Sequence, residues 1–375
     1  MLACLRSHKC RCARLTLIML SAISGTWLHA ETKYDEIWSH ANIYQNDKNP
    51  FVQKLALSGR LQWEAYDFDS DQGDSKDWLW RRFRFGFKST VFESWTFHSE
   101  ADLRLNGGDF YNRLTDSYIS RSLGENSKIK IGKQSAGFTL DGATSSKSLL
   151  SLQRNNLTNN LWFTAEYFTG ISVSGTADEG WLYNVGVFSS DGNGVFSHLD
   201  AGYFGLVSIG RDISESVGIN TAVVRLDLVG NENDPNANTR DFGQVVSLVS
   251  KWEDGKWGLW TDLSLGDGYS GQSDLWGFSG MPFFNLSAKV QLVFRYTYIE
   301  SSNPNGVRFG RYERSNVSGR GDEYNELYAG FNVFFYGHKL KWQTGIKSTR
   351  MKDSANDGGE HSGGIGVTSG LRLSW

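Results

Sequence analysis

Cysteine, proline and long apolar runs are what this 375-residue sequence has little of, and each shortage excludes something. The three cysteines, Cys4, Cys10 and Cys12, all fall before residue 30, so the rest of the chain holds no disulfide and no thiolate metal site. The four prolines, Pro50, Pro235, Pro282 and Pro304, lie in or beside polar or turn-like stretches. Long segments are therefore free to pair as strands. After residue 30 no stretch approaches the ~18 apolar residues of a membrane-spanning helix. Basic excess is absent too. Lys and Arg number 38 against 41 Asp and Glu, and Arg6, Lys9, Arg11 and Arg14 precede residue 30, leaving 34 − 41 = −7 beyond it. That balance argues against a nucleic-acid partner.

Catalytic patterns are also missing. His40, His98, His198, His338 and His361 are scattered, without the i, i+4 spacing that would hold a metal. GFSG at 277–280 lacks the spacing of a nucleophile elbow. The acidic stretch DFDSDQGD at 67–74 lacks the Gly and Glu positions of a calcium loop. It reads as a solvated turn, with divalent-ion or lipopolysaccharide bridging as the alternative. No enzyme, cofactor or metal site is expected.

Three features are present instead. Residues 1–30 read as a signal peptide: a basic start, the apolar core LTLIMLSAISGTW, and a cleavage point at Ala30. Residues 31–54 read as a periplasmic N-terminal segment, with Tyr34, Ile37, Trp38 and Ala41 at helical spacing. From residue 55 onward the period is two. In RRFRFGFKS, Phe83, Phe85 and Phe87 oppose Arg82, Arg84 and Lys88; in KVQLVFRYTY, Leu292, Phe294, Tyr296 and Tyr298 oppose Gln291, Arg295 and Thr297. One apolar and one wet face per strand is the pattern of a half-buried antiparallel sheet.

About sixteen such runs follow one another. Short connections such as 89–93, 123–127, 176–180, 253–256 and 336–338 alternate with longer polar ones at 69–76, 136–164, 190–197, 230–241, 301–321 and 351–361. Aromatics are 14% of the chain, and Trp63, Trp78, Trp80, Trp252, Trp257 and Tyr298 lie near the ends of apolar faces. Alternating turn lengths, an even strand count and aromatic girdles predict an all-β fold, a transmembrane antiparallel β-barrel over 55–375. A soluble sandwich or propeller is the competing architecture; no blade-length repeat supports the propeller.

The segments RRFRFGFKSTVFESWTFHSEADL, LTDSYI, KIKIGKQSAGF, TSSKSLLSLQRNNLTNNLW and DEYNELYAGFNVFFYGHKLKWQTG, taken in order, resemble the phosphate-selective porins O and P. The resemblance implies a trimeric sixteen-stranded outer-membrane channel for phosphate and related anions, with a connection near 136–164 folded inward. It offers Lys147 and Arg154 as constriction charges on that connection. The ending GLRLSW is similar to the signal read by barrel-assembly machinery, carried by Gly370, Leu373 and Trp375. The lipid bilayer, lipopolysaccharide and small anions complete the expected partners.

A porin selects through the charges on its wall. Residues 77–135 carry ten bases and seven acids, a local excess of +3 against the overall deficit. By parity Arg82, Arg84 and Lys88 point inward, as do Lys128 and Lys130; with Arg104 they form a candidate anion-binding ladder. Guanidinium forks and ammonium point charges both suit oxyanions. Glu100 and Asp102 on the next run could neutralise that ladder, which would leave a general porin. A barrel serving as a surface receptor or anchor is the alternative of a different class.

Overall fold

The computed structural model describes residues 30–163, 166–192, 194–197, 199–355 and 361–375. The expected signal peptide lies outside them except for its last residue. An N-terminal unit ends in helix α1 (Ala30–Ser39), where Tyr34 and Trp38 meet edge to face at 6.1 Å, one helical turn apart. The unit from Ala41 onward is a barrel.

Its strands are β1 (Asn42–Gln45), β2 (Val52–Ser70), β3 (Gly73–Val91), β4 (Trp95–Leu103), β5 (Tyr111–Ser122), β6 (Ser127–Ser135), β7 (Tyr167–Ala177), β8 (Trp181–Ser189) and β9 (Tyr203–Asp212). The chain continues with β10 (Thr221–Asn231), β11 (Phe242–Asp254), β12 (Trp257–Gly268), β13 (Leu275–Asn285), β14 (Val290–Ser301), β15 (Glu323–Tyr336), β16 (Leu340–Lys352) and β17 (His361–Ser374). Each of β2–β17 is antiparallel to its neighbour, and β17 returns to β2 through Leu373↔Leu61 and Leu371↔Trp63. Sixteen strands thus form a closed ring with no free edge, as backbone in lipid requires. The short β1 pairs with β2 below the end of β17.

The sixteen periodic runs correspond one for one to β2–β17. The stretch 69–76, however, is not a long connection. β2 and β3 are each 19 residues and pair out to Ser70↔Gly73, so only Asp71 and Gln72 make the turn. Polar residues there keep extended pairing because the hairpin stands in water, where the apolar alternation is no longer needed. Trp78 and Trp257, 60% and 66% exposed, lie on the outer surface near opposite ends of the wall.

Inside, the wall has two characters. From β8 to β14, inward positions include Phe188, Phe204, Val245, Val249, Met281, Phe283 and Val293, all buried. They pack against the 136–163 connection through Phe138, Leu140, Leu150, Leu157, Leu161 and Phe163. Phe163 meets Phe204 edge to face at 5.1 Å. That half of the lumen is filled by a hydrophobic core. The half lined by β2–β6 stays polar.

Candidate functional site

The connection between β6 and β7 enters the barrel and carries two short helices, α2 (Leu140–Ala143) and α3 (Asn156–Leu161). Its irregular backbone needs partners, and inward side chains supply them. Thr139 and Leu140 donate their N–H groups to Asp227 and Asp262 at 3.0 and 2.9 Å. Lys341 donates to the Leu149 carbonyl (2.9 Å) and Asn332 to that of Leu150 (2.8 Å). Arg295 donates to Ser151 Oγ (2.6 Å) and the Gln153 carbonyl (3.0 Å). Arg372 donates to the Ser146 carbonyl at 2.7 Å and to that of Leu152. Asn155 caps α3 by accepting from Thr158 N–H at 2.7 Å, and Asp141 Oδ2 accepts from Asn155 in turn.

A second connection, 302–322, folds in beside it. Glu313 is buried and pairs with Lys347 at 2.9 Å, and it accepts from Tyr324 Oη at 3.0 Å. Tyr312 stacks on Tyr66 at 4.0 Å and donates to Glu64. The two connections interlock: Asn156 and Asn160 donate to the Arg308 carbonyl, and Arg308 N–H returns to Asn160 Oδ1 at 2.8 Å.

Between these connections and the β3–β5 wall lies a cavity of about 180 Å³. Its lining includes Arg81, Arg82, Arg113, Arg154, Arg240, Arg308, Arg311 and Arg314, against two carboxylates, Asp102 and Glu166. Eight positive and two negative side chains leave a formal +6. The carboxylates are already engaged. Asp102 lies 3.6 Å from Arg84 and 3.7 Å from Arg113, and Glu166 the same distances from those two arginines. Burial would raise the Glu166 pKa, but Arg154, Arg82, Arg84 and Arg113 hold it far below the usual range. On the connections the balance is reversed. Burial first, and then neighbouring arginines, lower the pKa of Arg240, Arg308 and Arg314. Crowded like charges in a water-filled cleft favour a resident anion.

The sequence-predicted residues separate into groups. Arg82 and Arg154 line the cavity; Arg82 donates to Gln62 Oε1 at 2.9 Å, and Arg154 donates to the Asp141 carbonyl (2.8 Å) while lying over Trp162. Arg84 is buried just beside them, donating to Tyr167 Oη at 2.5 Å. Lys88, Lys130 and Lys147 sit nearer the short-turn end of the lumen. Lys88 is exposed and pairs in register with His98; Lys130 lies 4.9 Å over the Tyr118 ring. Lys147 donates to the Trp375 carbonyl at 3.3 Å. Its pKa is lowered to about 8 by burial and by Arg60. Lys128 is exposed at the start of β6. Arg104 stands apart, beyond the end of β4, donating to Asn112 Oδ1 at 2.7 Å.

Six cavity arginines are outside that predicted set. Arg81 shares parity with Phe83 and reads as lipid-facing. A register shift between Gln62 and Trp63 pairs them with Arg82 and Trp80, leaves Arg81 unopposed and admits it to the cavity. Arg308, Arg311 and Arg314 lie three apart in VRFGRYER, a spacing visible in the sequence. Arg113 and Arg240 carry no comparable signal.

At the end of the chain, Gly370 faces inward. A Cβ there would come 2.6 Å from the Trp63 carbonyl and 2.8 Å from Leu152 of the inward connection. Leu373 pairs with Leu61 and Leu340. Trp375 exchanges backbone hydrogen bonds with Gly59, and a Cβ on Gly59 would meet its ring at 2.4 Å.

Solved structures share this architecture. The anion-selective porin from Comamonas acidovorans aligns with a TM-score of 0.62 at 12% identity, covering 86% of this chain and 99% of that one. OmpF of Salmonella typhi, solved in complex with daunomycin, gives 0.61 at 11%, covering 89% and 100%. The trimer form of OmpT of Vibrio cholerae gives 0.56 at 12%, covering 86% and 99%. No curated protein sequence matches the chain. The family model of phosphate-selective porin O and P matches residues 55–234, a span that includes Arg81, Arg82, Arg113 and Arg154 together with the whole β6–β7 connection but not the 302–322 connection. The chain is thus similar in sequence to the phosphate-selective porins O and P over residues 55–234, just under half of it, and it has the closed sixteen-stranded barrel fold of outer-membrane porins, which are channels rather than enzymes.

Proposed function

We propose that the channel passes small hydrophilic solutes passively, prefers anions with oxyanions such as phosphate among them, and works as a homotrimer. The observation that carries this reading is the cavity of eight arginines and two already engaged carboxylates. Guanidinium forks match the geometry of phosphate and carboxylate oxygens, and a series of them lets an anion exchange partners as it moves. The anion-selective porin from Comamonas acidovorans has the same fold, which is consistent with this use of it. The trimer form of the Vibrio cholerae OmpT lends similar support to trimeric assembly.

A general porin with little ion preference is the second reading, and one observation favours it. Elsewhere several lumen charges cancel pairwise: Arg60 with Glu100 at 3.2 Å, Arg295 with Glu326 at 2.7 Å, Arg372 with Glu64 at 3.3 Å. Current through single channels in a planar bilayer separates the two. The anion reading expects millimolar phosphate to reduce chloride current; the general reading expects no block.

A further inference from the structure

Hydrogen-bonded partners place a row of side chains on the outer face: Phe87↔Ser99, Ser99↔Ser117, Ser117↔Lys133 and Lys133↔Thr169, with Ser189 next by the register of β7 and β8. Directly opposed residues share a face. The next row toward the short turns, two residues away on each strand, is Phe97, Ile119, Ile131, Ile171 and Val187, all apolar and exposed. Five adjacent strands thus carry a polar band, one member of it a lysine, on a wall whose neighbouring row is lipid-like.

The band starts at mid-depth on β4 and reaches the long-loop ends of β7 and β8, where Thr169 is the third residue of one strand and Ser189 the last of the other. On β4, Ser99 is four residues from Trp95 at the short-turn end and four from Leu103, which pairs with Tyr111 at the long-loop end. At ~3.3 Å per residue along tilted strands, Ser99 falls near the middle of an apolar belt ~25 Å tall.

What lies on the band is irregular backbone. β6 leaves the wall at Ser135, and above that point β5 turns to the β8–β9 connection: Leu114 N–H donates to the Gly194 carbonyl at 2.7 Å. Lys133 Nζ donates to the Val195 carbonyl, and Ser197 N–H donates to Thr169 Oγ1 at 3.0 Å. Ser197 Oγ reaches Ser189 Oγ at 2.7 Å and Asp191 at 2.6 Å. Lys133 is buried beneath this cover, while Val195 and Phe196 are 45% and 46% exposed above it.

Irregular backbone and buried charge are tolerated at membrane depth where protein, not lipid, covers them. Residues 194–197 shield Lys133 but are themselves unshielded. We propose that the outer face of β4–β8, with residues 194–197 lying on it, is the surface through which a second copy of this chain packs. Val195 and Phe196 supply the apolar contact, and the partner's wall replaces lipid over the polar band. This rests on the trimeric reading above and assigns it a face.

The test is photocrosslinking of the intact channel in outer membranes, with Phe196→p-benzoylphenylalanine against Leu263→p-benzoylphenylalanine on the exposed outer face of β12. The expected result is an adduct of twice the chain mass from position 196 and none from 263. Adducts only from 263, or lipid adducts alone from 196 in an oligomeric protein, overturn the face while leaving the trimer. A monomer by native mass spectrometry overturns both. A second variant, Phe196→Glu, is expected to shift the oligomer to folded monomers that retain gel heat-modifiability. An unchanged oligomer in that variant contradicts the proposal.

Discussion

At the scale of single residues, environment decides which bases can act on a permeating ion. Arg84 and Arg82 are two positions apart with the same parity, yet Arg84 is spent on Tyr167, Asp102 and Glu166. Arg82 lines the cavity. Substituting Arg82→Gln should therefore reduce phosphate block several-fold, whereas Arg104→Gln should leave it unchanged, both measured as block of chloride current. Lys147 adds a pH dependence. Its pKa is lowered to about 8, so the ammonium is charged below that pH and is lost as pH rises through it. Anion preference should be higher at pH 6.5 than at pH 9.5, and Lys147→Gln should remove that step. A reversal potential of the wild type that stays flat across this range would contradict the assignment.

At the scale of elements, the barrel wall was legible from its period and the inward 136–164 connection from the resemblance, but the path of either inward connection was not. The alternation in RRFRFGFKS or KVQLVFRYTY follows from one face meeting lipid, and that constraint acts on every strand alike. The positions of Arg308, Arg311 and Arg314 follow from an irregular fold pinned by Glu313 and Asn160, which no period encodes. Arg81 escaped because parity fails where a bulge inserts a residue. The pinning itself is open to test. Arg372 holds the Ser146 and Leu152 carbonyls and pairs with Glu64. Arg372→Met should release that stretch and leave Glu64 buried without its charge partner, which costs about 3–5 kcal/mol. Single-channel recordings should then show larger, noisier currents from a barrel that still closes; unchanged currents would mean the connection is held by its other contacts.

At the scale of the whole molecule, the barrel divides its interior between a core and a passage. Apolar inward residues on β8–β14 hold the two connections against one side, and the polar wall of β2–β6 borders the cavity that remains. The net charge of the chain, −3, gives no hint of this, because the basic cluster is local and its arginines come from distant parts of the sequence. Ring closure depends on a close approach at the seam, where the Trp375 ring covers Gly59. Gly59→Val should lower the temperature at which the folded barrel unfolds in heat-modifiability gels, with little change in selectivity of the channels that assemble.

The most direct measurement of the central claim is the zero-current potential across a potassium chloride gradient, wild type against Arg308→Gln/Arg311→Gln/Arg314→Gln. The cavity account predicts an anion-selective potential in the wild type and a shift of tens of millivolts toward cation selectivity in the triple variant. Equal potentials in the two proteins would contradict it.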